Sequence, residues 1–159
     1  MNRKIIDQNS IEHIFDLAEK CIKSGNRPMP AILIKDNKIR YQSYDEVIET
    51  YYPTMHGEIA VIRKSCSDLH SLSLRGFGIL CFCEPCIMCC GAIHWAKIDW
   101  VAYCLSQTKL KELSKGKQKP GVRDYLPLGK RNLSIYGPIE EEKAYDIATH
   151  YNWVQNSVE

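Results

Sequence analysis

Apolar residues recur at helical spacing through Ile11, Ile14, Phe15, Ala18, Cys21 and Ile22. Asn9 or Ser10 precedes them as a candidate N-cap, and Gly25 follows as a candidate stop. One face of this predicted helix therefore packs on something flat. The period then changes. Ala31-Ile32-Leu33-Ile34 predicts a buried strand, Asp36-Asn37 a tight turn, and Lys38 to Gln42 the returning strand of a hairpin. Ser43 to Thr54 is polar and aromatic and predicts a loop. His56 to Cys66 carries Ile59, Ala60, Ile62 and Arg63 at helical spacing, and Ile79-Leu80-Cys81-Phe82 predicts a central strand. A third helix is expected to begin at Pro85, a favourable first helical residue. Trp100 to Cys104 predicts a further strand and Leu133 to Tyr136 a weaker fifth. Gly137-Pro138 then opens a terminal helix through Ala144, Ile147, Ala148, Tyr151 and Val154.

This alternation predicts the α/β class: a mixed five-stranded sheet with helices on both faces, a three-layer α/β/α sandwich forming a single domain over residues 1–159. At 18.3 kDa and 45% hydrophobic residues the chain can bury a core of ordinary size, and no apolar run is long enough to span a bilayer. Met1 to Asp7 has a basic start but neither an apolar stretch nor a small-residue cleavage site, so no secretory signal is read and a cytoplasmic location is expected.

A formal net charge of +2 is too small to imply a nucleic-acid partner. Ser106 to Arg131 is more lopsided, with Lys109, Lys111, Lys115, Lys117, Lys119, Arg123, Lys130 and Arg131 against Glu112 and Asp124. Two readings stand for it, a track for a phosphate backbone or a solvated loop. Of the eight cysteines, Cys81, Cys83, Cys86, Cys89 and Cys90 crowd into ten positions, a grouping that in a reducing compartment points to a metal before bridges.

Two short motifs carry the chemistry: His56-Gly57-Glu58 and Pro85-Cys86-Ile87-Met88-Cys89, each at a predicted helix start. Cysteines three apart share a helical face, and the first turn adds unpaired amides and the positive end of the helix dipole, which favour thiolates. A histidine from the other helix makes three ligands, the number a catalytic zinc site uses while leaving one position for water. Glu58 is the informative extra, since a structural zinc has no use for a carboxylate and a hydrolytic one needs a proton carrier.

These motifs resemble the cytidine and deoxycytidylate deaminase superfamily. His56 to Cys66 and Cys83 to Ala96 look closest to bacterial guanine deaminases and tRNA-specific adenosine deaminases, and Pro28 to Asp36 follows more loosely. The resemblance covers roughly Ile11 to Cys104. It implies a cytidine-deaminase-like fold, zinc held by His56, Cys86 and Cys89, and hydrolytic loss of an exocyclic amino group, with Glu58 as the catalytic residue protonating first the ring nitrogen and then the departing ammonia. It also implies substrate contacts from Gly57, whose amide replaces that of the family's usual alanine, from Trp95 as an aromatic pocket residue, and from Asp45. Asp45 stands where counting back eleven positions from His56 reaches the family's base-binding asparagine. Unlike asparagine, an ionised Asp45 only accepts hydrogen bonds and disfavours a ring edge made of acceptors. Pro30 replaces a usual glycine, and Cys81-Phe82 replace small hydroxyl residues, so the pocket wall is altered.

The expected function is deamination of a purine-type nucleobase or related aminated heterocycle by a homodimer, with no membrane partner. The alternatives are a tRNA-specific adenosine deaminase, served by the basic segment, and a non-catalytic zinc-stabilised binding domain whose pocket has drifted; a structural zinc completed by a fourth cysteine, Cys83 or Cys90, would leave Glu58 unexplained. Tyr41, Tyr44, Tyr51 and Tyr52 either line the entrance or pack within their loop. Tyr151 or Trp153 would cover the pocket only if the tail folds back.

Overall fold

The computed structural model describes residues 6–129 and 132–154. The part of the N-terminal reading that rests on Met1 to Ile5, and Lys130 and Arg131 of the basic segment, lie outside them.

The first helix, α1 (Gln8–Lys23), starts slightly earlier than its candidate caps. Asp7 is the N-cap, and its carboxylate accepts the Ser10 amide at 2.7 Å, which puts Asn9 and Ser10 inside the first turn. The hairpin forms as expected from β1 (Ala31–Lys35) and β2 (Lys38–Ser43). Asp36 and Asn37 both adopt positive φ, at 52° and 56°, as a two-residue turn demands. The polar loop after it holds one helical turn, α2 (Val47–Thr50).

Next come α3 (Gly57–Leu69), β3 (Gly78–Cys83), α4 (Ile87–Trp95) and β4 (Trp100–Leu105). α4 begins two residues after Pro85, with Cys86 as its N-cap. The basic segment contains α5 (Gln107–Ser114), capped by the Ser106 hydroxyl accepting from the Lys109 amide, then α6 (Val122–Tyr125). β5 (Ser134–Tyr136) and α7 (Glu141–Thr149) follow. α7 is shorter than expected at both ends. Ile139 is drawn to the Tyr103 carbonyl before the helix starts, and the Trp153 indole donates to the Ala148 carbonyl just past its end, so Tyr151 and Val154 lie beyond it.

The sheet order is β2-β1-β3-β4-β5; β1 runs antiparallel to both neighbours, and β3, β4 and β5 run parallel. Side chains alternate between its faces. Ile32, Ile34, Leu80, Phe82, Ala102 and Cys104 meet α1 and α7, while Ala31, Leu33, Ile79, Cys81, Val101 and Tyr103 meet α3 and α4. This is the expected three-layer α/β/α sandwich on a mixed five-stranded sheet. Tyr151 and Trp153 pack into the α1/α7 core, 6% and 7% exposed. Among the described residues no helix is long and apolar enough to cross a membrane.

Candidate metal centre and active site

The sheet brings the starts of α3 and α4 together where β3 ends and β1 begins; the Phe82 amide there donates to the Pro30 carbonyl at 3.0 Å. His56 is the N-cap of α3 and Cys86 the N-cap of α4, and neither side chain makes a capping hydrogen bond. A Ser or Asp at each cap would add about 1 kcal/mol of helix stability. The chain forgoes that at both helices and turns the two side chains toward each other.

Cys89, on the first turn of α4, completes the group. The His56 Nδ1 lies 3.7 Å from the Sγ atoms of both Cys86 and Cys89, and the three donor atoms all lie within 4.8 Å of one another. A tetrahedral zinc with ordinary Zn–N and Zn–S bonds sets an N–S separation of about 3.6 Å. The three donors therefore fit a zinc ion with one position left over. Cys83 and Cys90 do not join them: their thiols donate to the carbonyls of Pro28 and Pro85, at 3.7 and 3.6 Å.

A hydrogen bond from Cys89 and the nearby His56 lower the Cys86 thiol to about 4 against the opposing effect of burial. The same bond, with burial, raises Cys89, and the contact with Cys86 raises His56. Glu58, 7% exposed, is pushed up to about 7, chiefly by burial. A carboxyl group poised there exchanges a proton near neutrality.

His56, Glu58 and Cys86 line a cavity of about 120 Å³, together with Arg27, Gln107 and Lys119. Gln107 and Lys119 come from the basic segment, which a buried carboxylate holds in place. Glu84 accepts the amides of Gln107 and Val122, each at 2.8 Å, and its backbone carbonyl accepts the Gln107 side chain. Gly121 packs against that carboxylate so closely that a Cβ would collide with it.

The remaining expected site residues fall differently. Gly57 opens α3 beside the ligands. Asp45 is 2% exposed and is not among the residues that line the cavity. Its Oδ1 accepts the Val47 amide at 3.2 Å, and its Oδ2 accepts Arg27 Nη2 at 2.8 Å, so Arg27 is the member of the pair that reaches the cavity. Trp95 is 79% exposed at the end of α4 and does not line the cavity of its own chain. None of Tyr41, Tyr44, Tyr51 and Tyr52 lines it either; Tyr44 donates to Glu49, and Tyr41 meets Phe77. Tyr151 and Trp153 are absent from it as well. Sequence reasoning missed Arg27, Glu84 and Gln107. Glu84 lies just before the second motif, and its position between Cys83 and Pro85-Cys86 was the one available signal.

The model of the cytidine and deoxycytidylate deaminase zinc-binding region matches residues 4–105. A guanine deaminase of Bacillus subtilis is 36% identical over 85 residues, 54% of each chain, so this chain spans about half the length of that relative. A tRNA-specific adenosine deaminase of Agrobacterium fabrum is 30% identical over 144 residues, 87% of this chain and 91% of its own length. A solved structure from a study of tRNA:A34 deaminases superposes with a TM-score of 0.75 at 25% identity, covering 89% of this chain and 99% of that one.

Proposed function

Because this chain belongs to the cytidine and deoxycytidylate deaminase family, we propose that it is a zinc-dependent hydrolase that replaces the exocyclic amino group of a purine-type nucleobase or related aminated heterocycle with oxygen, releasing ammonia. The observation that carries this reading is the buried Glu58 carboxyl beside three donors spaced for zinc, with Glu58, His56 and Cys86 lining one small cavity.

Zinc, when bound, supplies a Lewis acid that lowers the pKa of a water to about 7. The chain's own residues do the rest. Glu58 carries one proton of the attacking water to the ring nitrogen next to the reacting carbon, then carries the second, from the newly added hydroxyl, to the leaving amine. Its near-neutral affinity lets one group serve as base and acid in turn. The Gly57 amide, in the first turn of α3, has no intrahelical carbonyl to meet and is available to a substrate atom. Burial around Glu58 excludes bulk water, which strengthens each of these contacts.

At about 120 Å³ the cavity has room for about four waters, the scale of a small heterocycle. Ammonia release from such compounds, lost in Glu58→Gln while zinc is retained, tests the proposal. A flipped adenine of tRNA is the second reading. It is favoured by the near full-length similarity to the Agrobacterium relative and by the exposed lysines of the segment that reaches the cavity. Activity on tRNA should fall steeply with salt and activity on a free base should not.

The partner we propose is a second copy of this chain. Ile87, Gly91 and Trp95 stand on one exposed stripe of α4, spaced four residues apart, with Ile87 63% and Trp95 79% exposed.

A further inference from the structure

We propose that a second cavity, backed by the chain segments that carry Arg27 and Asp45, is an effector site for a small polyhydroxy acid, whose acidic group is held by Lys20 and Lys64 and whose occupancy is felt in the catalytic cavity. Binding there goes beyond the deaminase reading, and its effect on catalysis rests on that reading.

This cavity measures about 500 Å³, against about 120 Å³ for the catalytic one, and none of the described residues lines both. Its size suits a small metabolite. Lys20 of α1, Gln42 of β2, Glu49 of α2 and Lys64 of α3 contribute to its walls. Two chain segments stand between it and the catalytic cavity. In the first, Asn26 lines the second cavity and its neighbour Arg27 lines the catalytic one. In the other, Tyr44 and Glu46 line the second cavity, and Asp45 between them holds Arg27 at 2.8 Å. A further tie runs from Asn26 Nδ2 to Glu49 Oε1 at 2.8 Å. Asn26 and Asp45 are both buried, so a ligand that braces Asn26 or Tyr44 also braces the covalent neighbour that meets the catalytic side.

The chemistry of the ligand follows from which polar groups are already engaged. Both Glu49 oxygens accept, from Asn26 and from the Tyr44 hydroxyl at 3.0 Å, and Glu46 Oε1 accepts the Ser43 hydroxyl at 3.3 Å. Gln42 Oε1 meets His13 Nε2 at 2.7 Å, which leaves the Gln42 amino group to donate. Lys20 makes no ion pair with another described residue. Lys64 pairs with Asp68 one turn along its own helix, where both side chains are about half exposed, an arrangement that a better acceptor displaces. The open groups are therefore mainly donors, two of them cationic, and an acidic group complements them. The Glu46 and Glu49 carboxylates disfavour a second acidic group and suit hydroxyls on the rest of the molecule.

The test is calorimetric binding to the zinc-loaded protein of two pairs that differ in the acidic group: ribose 5-phosphate with ribose, and gluconate with sorbitol. The first pair reads a phosphate and the second a carboxylate, and none of the four carries an amino group to be removed. The acidic member of at least one pair should bind at least about tenfold more tightly than its neutral counterpart, as expected for hydrogen bonds to charged groups. Lys20→Gln with Lys64→Gln, both exposed positions, should shrink that preference to within about twofold with melting temperature and zinc content unchanged. Ser24→Phe narrows the cavity without changing charge and should weaken binding at least about tenfold. No acid preference in either pair, or one that persists in the double lysine variant, overturns the proposal; binding that survives Ser24→Phe places the acid on the outer surface and overturns it too. Coupling is read at the Val47 amide, which donates to Asp45 Oδ1 at 3.2 Å: its hydrogen exchange should slow when the acid binds, and unchanged exchange overturns the effector role. Binding and exchange need no turnover, so a protein that passes both yet releases no ammonia from any heterocycle contradicts the deaminase reading and leaves this site standing.

Discussion

Gly57 packs directly against the carbonyl oxygen of Met29. A Cβ at this position would overlap that oxygen and lie 3.4 Å from both the Met29 carbonyl carbon and the Ala31 amide nitrogen. The glycine that the family resemblance made merely acceptable in place of alanine is here required by the approach of the segment leading into β1. Since α3 starts at Gly57, between His56 and Glu58, this contact also sets where both functional side chains begin. Gly57→Ala should destabilise the protein by about 1–3 kcal/mol, as overpacking does, and lower its zinc content. Thermal melting and metal analysis read the two effects, and an unchanged melt with full zinc would mean that the strand lead-in yields freely.

Glu84 ties the segment carrying Gln107 and Lys119 to the motif that carries the thiolates. Glu84→Ala leaves the buried Gln107 and Val122 amides without acceptors and should cost about 2–6 kcal/mol, two unmade bonds at the usual penalty. Glu84→Gln keeps one acceptor oxygen and should lose less. Limited proteolysis between Lys115 and Gly121 should accelerate in the same order, and equal protection in all three proteins would deny the clasp.

In the metal-free protein Cys86 is held as a thiolate down to about pH 4, whereas Cys21, Cys66, Cys81, Cys83, Cys89, Cys90 and Cys104 are all raised above the ordinary thiol value. The sign follows directly: above that pH the reactive form of Cys86 is already populated, so iodoacetamide should label it selectively at pH 6, where an ordinary thiol near 8.5 is almost fully protonated. Zinc loading should suppress the labelling. Labelling that appears only above pH 8, or that zinc leaves untouched, contradicts the pairing of Cys86 with Cys89 and His56.

If the α4 stripe is the face of a homodimer, Trp95→Glu should convert a dimer to a monomer at micromolar concentration with zinc content unchanged, read by sedimentation. A wild-type protein that sediments as a monomer would remove this face from the account.

The helix and strand order, the alternating faces of the sheet and the metal ligands were legible because each rests on local period or spacing. Asp36-Asn37 named its own turn, and His56, Cys86 and Cys89 announced a site through residue types that serve no capping purpose. α5 escaped because its helical face is only half-buried, with Leu110 and Leu113 packing at the margin of the core. The Arg27–Asp45 pair escaped for a related reason: eighteen positions separate its members, and only the return of the hairpin brings them together. Counting from His56 found Asp45 but not the partner that occupies it. Trp95 was expected to shape the pocket, yet side-chain direction on α4 points it to solvent.

The most direct measurement is ammonia release by the zinc-loaded protein and by zinc-loaded Glu58→Gln, across free amino heterocycles with and without an oxo group and a tRNA anticodon stem. The account predicts release from a free amino heterocycle, insensitive to salt, falling by at least about a hundredfold in the variant while zinc stays bound. Release that survives Glu58→Gln, or no release from any compound with zinc fully bound, would contradict it.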